Sequence, residues 1–258
     1  MKNSIVSFTL YFSVLFINPA YCQQADSLVQ PAQKPSKQWY QTNAFKTAAV
    51  PSLLIGYGLI TVGNKGFLYN SYDAYQDIQQ RFPGFSTNLD DITTLTPAFA
   101  VYGLNAVGVK GKHAFVERTL LLAFSGAIAN VTSVSLKGSV QRLRPDGSNN
   151  FSFPSGHTTN AFVAAEFMHQ EYKDKSTWYS VAGYTVASAT GVMRMLNNRH
   201  WLSDVLVGAG IGMLSTKVTY LVYPLVKQKI GRGKNQHLGV MPLYNGSGVS
   251  LLVVFVCK

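Results

Sequence analysis

The sequence is poor in cysteine and in acidic residues, and both shortages narrow what the protein can be. Two cysteines among 258 residues exclude a disulfide framework and a cysteine-based zinc site. Aspartate and glutamate number 11 against 22 lysines and arginines, which gives a formal net charge of +11. Only 13% of the residues are charged, about half the usual share, while 47% are hydrophobic. So much apolar surface excludes disorder for most of the chain.

The basic excess does not predict a nucleic-acid partner, because no basic helix with interleaved aromatic residues is present. The N-terminus instead has the pattern of an export signal: a short basic start, an apolar run from Ile5 to Ile17, and a small-residue cleavage site around Ala20. An uncleaved anchor helix is the alternative. The predicted organisation is a signal peptide over 1–22, a polar linker over 23–44, a helical domain over 45–235 and a C-terminal tail over 236–258.

Six apolar segments rich in glycine, alanine, serine and threonine predict helices that approach one another closely, as helices in membrane bundles do. They are 45–63, 92–108, 117–136, 158–172, 178–196 and 201–226. Near the C-terminus, alternating runs at 238–244 and 249–256 flank an Asn-Gly-Ser-Gly turn and predict a β-hairpin. We therefore expect an all-α fold, a polytopic membrane helical bundle with a short C-terminal β-hairpin.

Positive charges constrain how these segments cross a membrane, because lysines and arginines in short loops favour the cytoplasm. Lys110 and Lys112 lie in such a loop, whereas the 64–91 stretch is mildly acidic. An exported N-terminus with every segment spanning would place this basic loop outside. The conflict disappears if 45–63 lies at the periplasmic surface without crossing. Residues 137–157 and 194–200 then emerge on the periplasmic side.

Three polar clusters lie at or near those periplasmic ends. They are Lys137 with Arg144-Pro145, Pro154-Ser155-Gly156-His157, and Arg194 with His200 and Asp204. Lys137 and Arg144 share one face if their helix continues to about Arg144, where Pro145 should end it. Two cations at a helix end without a nearby carboxylate require an anion, and the planar fork of arginine matches phosphate oxygens.

The other two clusters add a helix start and a histidine–aspartate pair. Ser155 is a candidate N-cap, so the helix after it would offer free N–H groups to a phosphate, and Gly156 permits close approach. His157 lies in the first turn of that helix. His200 and Asp204 are four residues apart and hence neighbours on one helical face. The carboxylate would fix the imidazole tautomer and leave the other ring nitrogen free to attack.

These spacings resemble those of the type 2 phosphatidic acid phosphatase superfamily, whose pattern is Lys-x6-Arg-Pro, Pro-Ser-Gly-His and Ser-Arg-x5-His-x3-Asp. The match covers 137–204 at motif level, and the surrounding helix pattern extends it to about 92–226. One position departs, because Met193 stands where the pattern has serine. That substitution removes a hydroxyl that would reach the phosphate or its loop.

The resemblance implies a metal-independent phosphohydrolase that needs no cofactor. By carry-over, His200 is the nucleophile that forms a phosphohistidine, Asp204 orients it, and His157 protonates the leaving oxygen. The groups that would hold the phosphoryl oxygens belong to Lys137, Arg144, Arg194, Ser155 and Gly156.

A site at the outer face of a membrane bundle suits a lipid phosphate, such as lipid A, undecaprenyl diphosphate or a phosphatidyl phosphate. The expected location is a bacterial inner membrane, with the site facing the periplasm. Two alternatives remain open: a soluble periplasmic acid phosphatase of the same superfamily, and a catalytically silent membrane protein that binds phosphate.

Overall fold

The computed structural model describes residues 43–63, 68–231, 236–244 and 249–257, with side-chain contacts between residues 45 and 228. The signal peptide and most of the linker predicted from the sequence lie outside these residues. The described elements are α1 Asn43–Ile60, α2 Ser71–Arg81, α3 Leu89–Thr93, α4 Thr96–Ala106, α5 Phe115–Val140, α6 Gly156–Tyr172, α7 Thr177–Leu196, α8 Leu202–Gly231, β1 Gln236–Tyr244 and β2 Val249–Cys257.

Four of the predicted apolar segments correspond closely to α5, α6, α7 and α8. The two C-terminal runs form an antiparallel pair in which Tyr244 lies opposite Val249, as the turn sequence between them predicts. The expectation of an all-α fold with a C-terminal β-hairpin is therefore confirmed.

The predicted segment 92–108 is wrong, because a break divides it into α3 and α4. Pro97 lies in the first turn of α4 and has no N–H to donate to the carbonyl oxygen of Thr93, so it does not continue the helix of α3. The Thr94 hydroxyl donates to the carbonyl oxygen of Asp90 at 2.6 Å at the end of α3. The break leaves α3 as a separate turn that contacts α6 and α7.

Most side chains of α6 are buried, and α6 contacts α4, α5, α7 and α8. Glycines of α8 allow the closest of these approaches. A Cβ atom at Gly212 would lie 2.3 Å from the carbonyl oxygen of Thr159, and one at Gly208 would lie 2.8 Å from that of Ser155. Side chains at these positions would push α8 away from the start of α6. The two glycines therefore set the distance between the helices that carry the second and third motifs.

The first helix, α1, lies lengthwise against α8 and runs antiparallel to it. Gly58 approaches Ser203, and Gly210 of α8 approaches Pro51. With 18 residues, α1 is about 27 Å long. The glycine notches let the two helices pack side by side along their axes, so α1 is part of the helical bundle. That 45–63 lies at the membrane surface without crossing stays a prediction.

Two of the described helices have the length and apolar composition to cross a membrane, Phe115–Val140 and Leu202–Gln228. They differ in burial: 22% of the apolar window of α5 is buried, against 61% for α8. The other segments that the sequence predicts to span do not meet the same criterion. The large exposed apolar side chains of α5 are Phe115, Val116, Phe124, Ile128, Val131, Val134 and Val140.

Candidate active site

Three predicted motifs meet at one end of the bundle, where α5 and α7 end and α6 and α8 begin. Direct contacts join them. The Lys137 ammonium donates to the carbonyl oxygen of Pro154 at 2.5 Å, and the backbone N–H of Ser155 donates to that of Asp204 at 3.0 Å. The structure therefore brings together residues up to 67 positions apart in the sequence.

The loop after α5 folds back over the end of that helix. Gln141 adopts a left-handed conformation with φ of 47°, which ends α5 at Val140. The prediction that the helix continues to about Arg144 is wrong for this reason. Arg144 instead reaches the site from the loop. Lys137 also donates to the carbonyl oxygen of Phe151 at 2.8 Å, so it fastens this loop to α5.

Lys137, Arg144 and Arg194 supply three positive charges to the site. Burial and then the charge of Arg194 lower the pKa of Arg144 below its ordinary value. The Nε atoms of both arginines are buried and have no hydrogen-bond partner among the described residues. Unpaired guanidinium N–H groups among converging positive charges are donors that an oxyanion would satisfy.

His200 lies in the short turn before α8, so it does not share a helix with Asp204 as the sequence predicts. Its Nδ1 donates to the backbone carbonyl oxygen of Ser152 at 2.8 Å, whereas the nearer carboxylate oxygen of Asp204 is 3.6 Å away. The carbonyl group fixes the tautomer, because a carbonyl oxygen can only accept. The lone pair of the neutral imidazole is then on Nε2. The prediction that Asp204 orients His200 is thus modified: the direct partner is Ser152.

Burial governs the protonation of His200, which is 3% exposed. Desolvation lowers the pKa of His200 from 6.5 to about 4, although Asp204 opposes this shift. The imidazole is therefore neutral near pH 7, as a nucleophile must be.

Asp204 is fully buried and accepts three hydrogen bonds, from Arg142 Nη1 at 2.9 Å, the Ser152 hydroxyl at 2.5 Å and the backbone N–H of Trp201 at 2.9 Å. The Arg142 guanidinium also lies 5.1 Å from the Trp201 ring centroid. Sequence reasoning missed both Arg142 and Ser152. They lie between motif residues, and no spacing distinguishes them from other loop positions.

The start of α6 has the predicted N-cap. The Ser155 hydroxyl oxygen accepts from the backbone N–H of Thr158 at 3.4 Å and lies 2.9 Å from the Thr158 hydroxyl. Since its backbone N–H is bound to Asp204, Ser155 has its polar groups engaged within the protein. The N–H groups of Gly156 and His157, the first two of the helix, lack partners within α6 and are suited to a ligand.

Helix α3 contributes two carboxylates that the sequence did not connect with the site. Asp90 is buried, and its Oδ2 accepts from Arg194 Nη1 at 2.5 Å. Asp91 is largely exposed, and its Oδ1 lies 2.8 Å from Nε2 of His157. Both pairs join residues more than 60 positions apart, so only the acidic character of the 64–91 stretch pointed to them.

The pKa of His157 is lowered below 6.5, first by burial and then by the charge of Arg194. The carboxylate of Asp91 acts in the opposite direction, because it stabilises the protonated ring. Asp91 therefore helps to keep a proton on the histidine that the sequence predicts to be the acid.

A family comparison matches the same region. Residues 118–228 fit the model described as the PAP2 superfamily, which is the type 2 phosphatidic acid phosphatase superfamily. This match to the PAP2 superfamily covers 111 of the 258 residues. The resemblance inferred from the three motifs is thereby confirmed. All eight predicted site residues lie within the matched PAP2 region.

Two curated relatives share this PAP2 region. The chain is 44% identical over 154 residues to the lipid A 1-phosphatase of Porphyromonas gingivalis, which covers 57% of the chain and 34% of the relative. It is 37% identical over 92 residues to phosphatidylglycerophosphatase B of Bacillus subtilis, which covers 31% of the chain and 45% of the relative. The chain thus spans a third to under a half of the length of these relatives.

Two solved structures are similar at lower identity. The crystal structure of LpxE from Aquifex aeolicus has a TM-score of 0.45 at 19% identity, covering 62% of this chain and 99% of that one. The transmembrane PAP2-type phosphatidylglycerolphosphate phosphatase from Bacillus subtilis has a TM-score of 0.47 at 22% identity, covering 69% of this chain and 96% of that one.

Glu166 and Glu171, in the region that matches the PAP2 model, are engaged in pairs within the bundle. Glu166 accepts from the Tyr184 hydroxyl at 2.5 Å, and Glu171 lies 2.7 Å from Nδ1 of His113. Among the described residues, no group of three or more histidine, cysteine, aspartate or glutamate side chains is arranged to hold a metal ion.

We predict that Arg142→Gln destabilises the protein by about 3 kcal/mol, because it leaves the buried Asp204 carboxylate without its ion-pair partner. The matched control is Arg199→Gln, which removes an exposed ion pair to Asp146 and should cost less than about 1 kcal/mol. Thermal unfolding of the purified variants measures both. Equal losses for the two variants would show that Asp204 does not depend on Arg142.

Proposed function

We propose that this PAP2 protein hydrolyses the phosphate of a membrane lipid at the periplasmic face, without a metal, through a phosphohistidine intermediate. The observation that carries the proposal is the state of His200. Its Nδ1 donates to the carbonyl oxygen of Ser152, burial lowers its pKa and so favours the neutral ring, and the positive charges of Lys137 and Arg194 act on it. Such an imidazole has one nucleophilic nitrogen and a fixed orientation.

In the first half of the reaction, Nε2 of His200 attacks phosphorus, and the bond from phosphorus to the lipid oxygen breaks. The leaving oxygen takes a proton from His157. In the second half, water gives a proton to His157 and attacks the phosphohistidine, which releases phosphate and restores His200. The same histidine thus acts as acid and then as base.

In this scheme, fixed positive charges stabilise the negative charge of the phosphoryl group. Lys137, Arg144 and Arg194 neutralise the phosphoryl oxygens, and the first N–H groups of α6 add dipolar donors. A phosphate monoester has a second pKa of about 6 and carries close to two negative charges at pH 7, which suits three cations. The two curated relatives, a lipid A 1-phosphatase and a phosphatidylglycerophosphatase, support a lipid phosphate as the substrate class.

The exposure of α5 supports the membrane over the soluble alternative. A core helix of a soluble protein is mostly buried, whereas only 22% of the 18-residue apolar window of α5 is buried. Val131 and Val134 near its middle are 68% and 67% exposed. A stripe of this size would be costly in water and is suited to lipid tails.

Charge supports the orientation. At the site end, Lys137 and the arginines are balanced by aspartates, including those of α2 and α3. The connections and helix ends opposite the site carry an excess of lysine, so the positive-inside rule favours a site on the outside. The lysines are Lys110, Lys112, Lys173, Lys175 and Lys227. In this orientation α1 begins at the cytoplasmic end. A cleaved signal peptide over 1–22 would leave the start of α1 outside, so these two predictions exclude each other if α1 crosses completely.

The orientation is tested by cysteine accessibility in intact spheroplasts, with Cys22 and Cys257 replaced by serine. We expect a membrane-impermeant maleimide to label S86C, beside α3, and to label K112C only after the membrane is disrupted. Labelling of both in intact spheroplasts would favour the soluble exported phosphatase. Labelling of K112C alone would reverse the proposed orientation.

The intermediate is tested by trapping. Wild-type protein mixed with phosphatidic acid labelled with 32P in detergent micelles, and quenched in alkali, should carry covalent label. We expect His200→Ala to abolish both label and turnover, because the attacking nitrogen is gone. Asp174→Asn, an exposed change at the other end of the bundle, should behave as wild type. Normal hydrolysis without label would exclude the phosphohistidine, and neither label nor hydrolysis in wild type would favour the silent phosphate-binding protein.

The pH dependence of kcat/KM follows from the two histidines of the free enzyme. Activity should rise as His200 loses its proton near its pKa of about 4. It should fall as His157 loses its proton, and that pKa lies below 6.5. Asp91→Asn removes the charge that stabilises protonated His157, so the descending limb should move to lower pH while the ascending limb stays. An unchanged descending limb would show that Asp91 does not act on the acid.

A further inference from the structure

A second group of cations surrounds a cavity at the other end of α5. The cavity has a volume of about 550 Å³ and is lined by α4, the loop after it and the first turn of α5. Its cationic lining residues are Lys110, Lys112 and Arg118. Arg118 and Lys137 are nineteen residues apart on α5, or about 29 Å along the helix. This cavity is therefore separate from the catalytic site by about one bilayer thickness.

Arg118 is the buried cation in the lining of this cavity. It is 5% exposed, and its Nη2 donates to the carbonyl oxygen of His113 at 2.6 Å. Its Nε and Nη1 have no hydrogen-bond partner among the described residues, and no described carboxylate forms an ion pair with it. A buried guanidinium without a counter-charge is costly, because its donors have lost water and gained nothing in return.

Two carboxylates at this end of the bundle have other partners. Glu171 lies 2.7 Å from Nδ1 of His113 and accepts from the Tyr220 hydroxyl at 2.8 Å. Glu117 pairs with Lys227. Neither forms an ion pair with Arg118. In addition, α5 begins without a side-chain cap, so the first N–H groups of the helix add to the positive potential beside the cavity.

We propose that this cavity binds a phosphate group, supplied by the headgroup of an anionic phospholipid in the leaflet opposite the active site. Arg118 and the two lysines hold the phosphate oxygens. Phe115 and Val116, which lie beside the cavity and are 67% and 53% exposed, contact the acyl chains. Basic pockets between helices at the cytoplasmic surface are suited to such headgroups. The inference goes beyond the proposed catalysis and does not depend on it.

The test uses the full-length protein in dodecyl maltoside and measures its midpoint of thermal unfolding. Three additions are compared at matched ionic strength: phosphatidylglycerol, monoolein as a lipid without phosphate, and inorganic phosphate. At saturation, phosphatidylglycerol should raise the midpoint by about 5 °C, and monoolein should not. A rise with inorganic phosphate as well would show that free phosphate suffices.

The deciding variant combines Lys110→Gln with Lys112→Gln. Both lysines are exposed, so this test does not require a variant of the buried Arg118 that folds. Its control is Lys173→Gln with Lys175→Gln, which removes the same charge from exposed positions at the same end of the bundle. We expect the first variant to lose at least half of the stabilisation and the control to keep it. Phosphate bound at the catalytic site would raise the unfolding midpoint of the wild type and of both variants equally. Equal responses of wild type and both variants would overturn the proposal, whatever the outcome for catalysis.

Discussion

The site depends on the hydrogen bonds and the ion pair that stabilise the buried carboxylate of Asp204. A carboxylate without access to water is stable only if its oxygens are hydrogen-bonded and its charge is compensated. Arg142, Ser152 and Trp201 meet this requirement, and in doing so they fasten the loop after α5 to the start of α8. The same fastening places the Ser152 carbonyl against His200. Asp204 therefore orients His200 through the backbone that it anchors.

Near Asp204, the arginines have more N–H donors than the surrounding carboxylates can accept from. Asp90 accepts from one nitrogen of Arg194, while its buried Nε stays unpaired, as does that of Arg144. Unmet donors at a site cost stability and are retained where a ligand uses them. The separate turn α3 exists because Pro97 breaks the apolar segment, and that break is what brings Asp90 and Asp91 to the site.

Most helices could be predicted because an apolar run of this length buries its surface most readily as a helix. Helices α5 to α8 coincide with the apolar runs in the sequence. The N-cap at Ser155 and the C-terminal hairpin were local patterns and were predicted correctly. The errors occurred where a tertiary contact overrode a local one. The helix before Arg144 ends early, since the loop folds back over the end of α5.

The sequence by itself determined which reactive side chains are available. They are two histidines, an aspartate and three cations, at spacings that place them near helix ends and in short loops. It could not supply the partners, because pairs such as Asp91 with His157 and Arg142 with Asp204 join residues more than 60 positions apart, and no periodicity encodes them. Only the tertiary structure decided that a backbone carbonyl fixes His200 and that Ser155 is committed to its cap. The physical reason is desolvation, which forces each buried polar group to find the nearest partner in space.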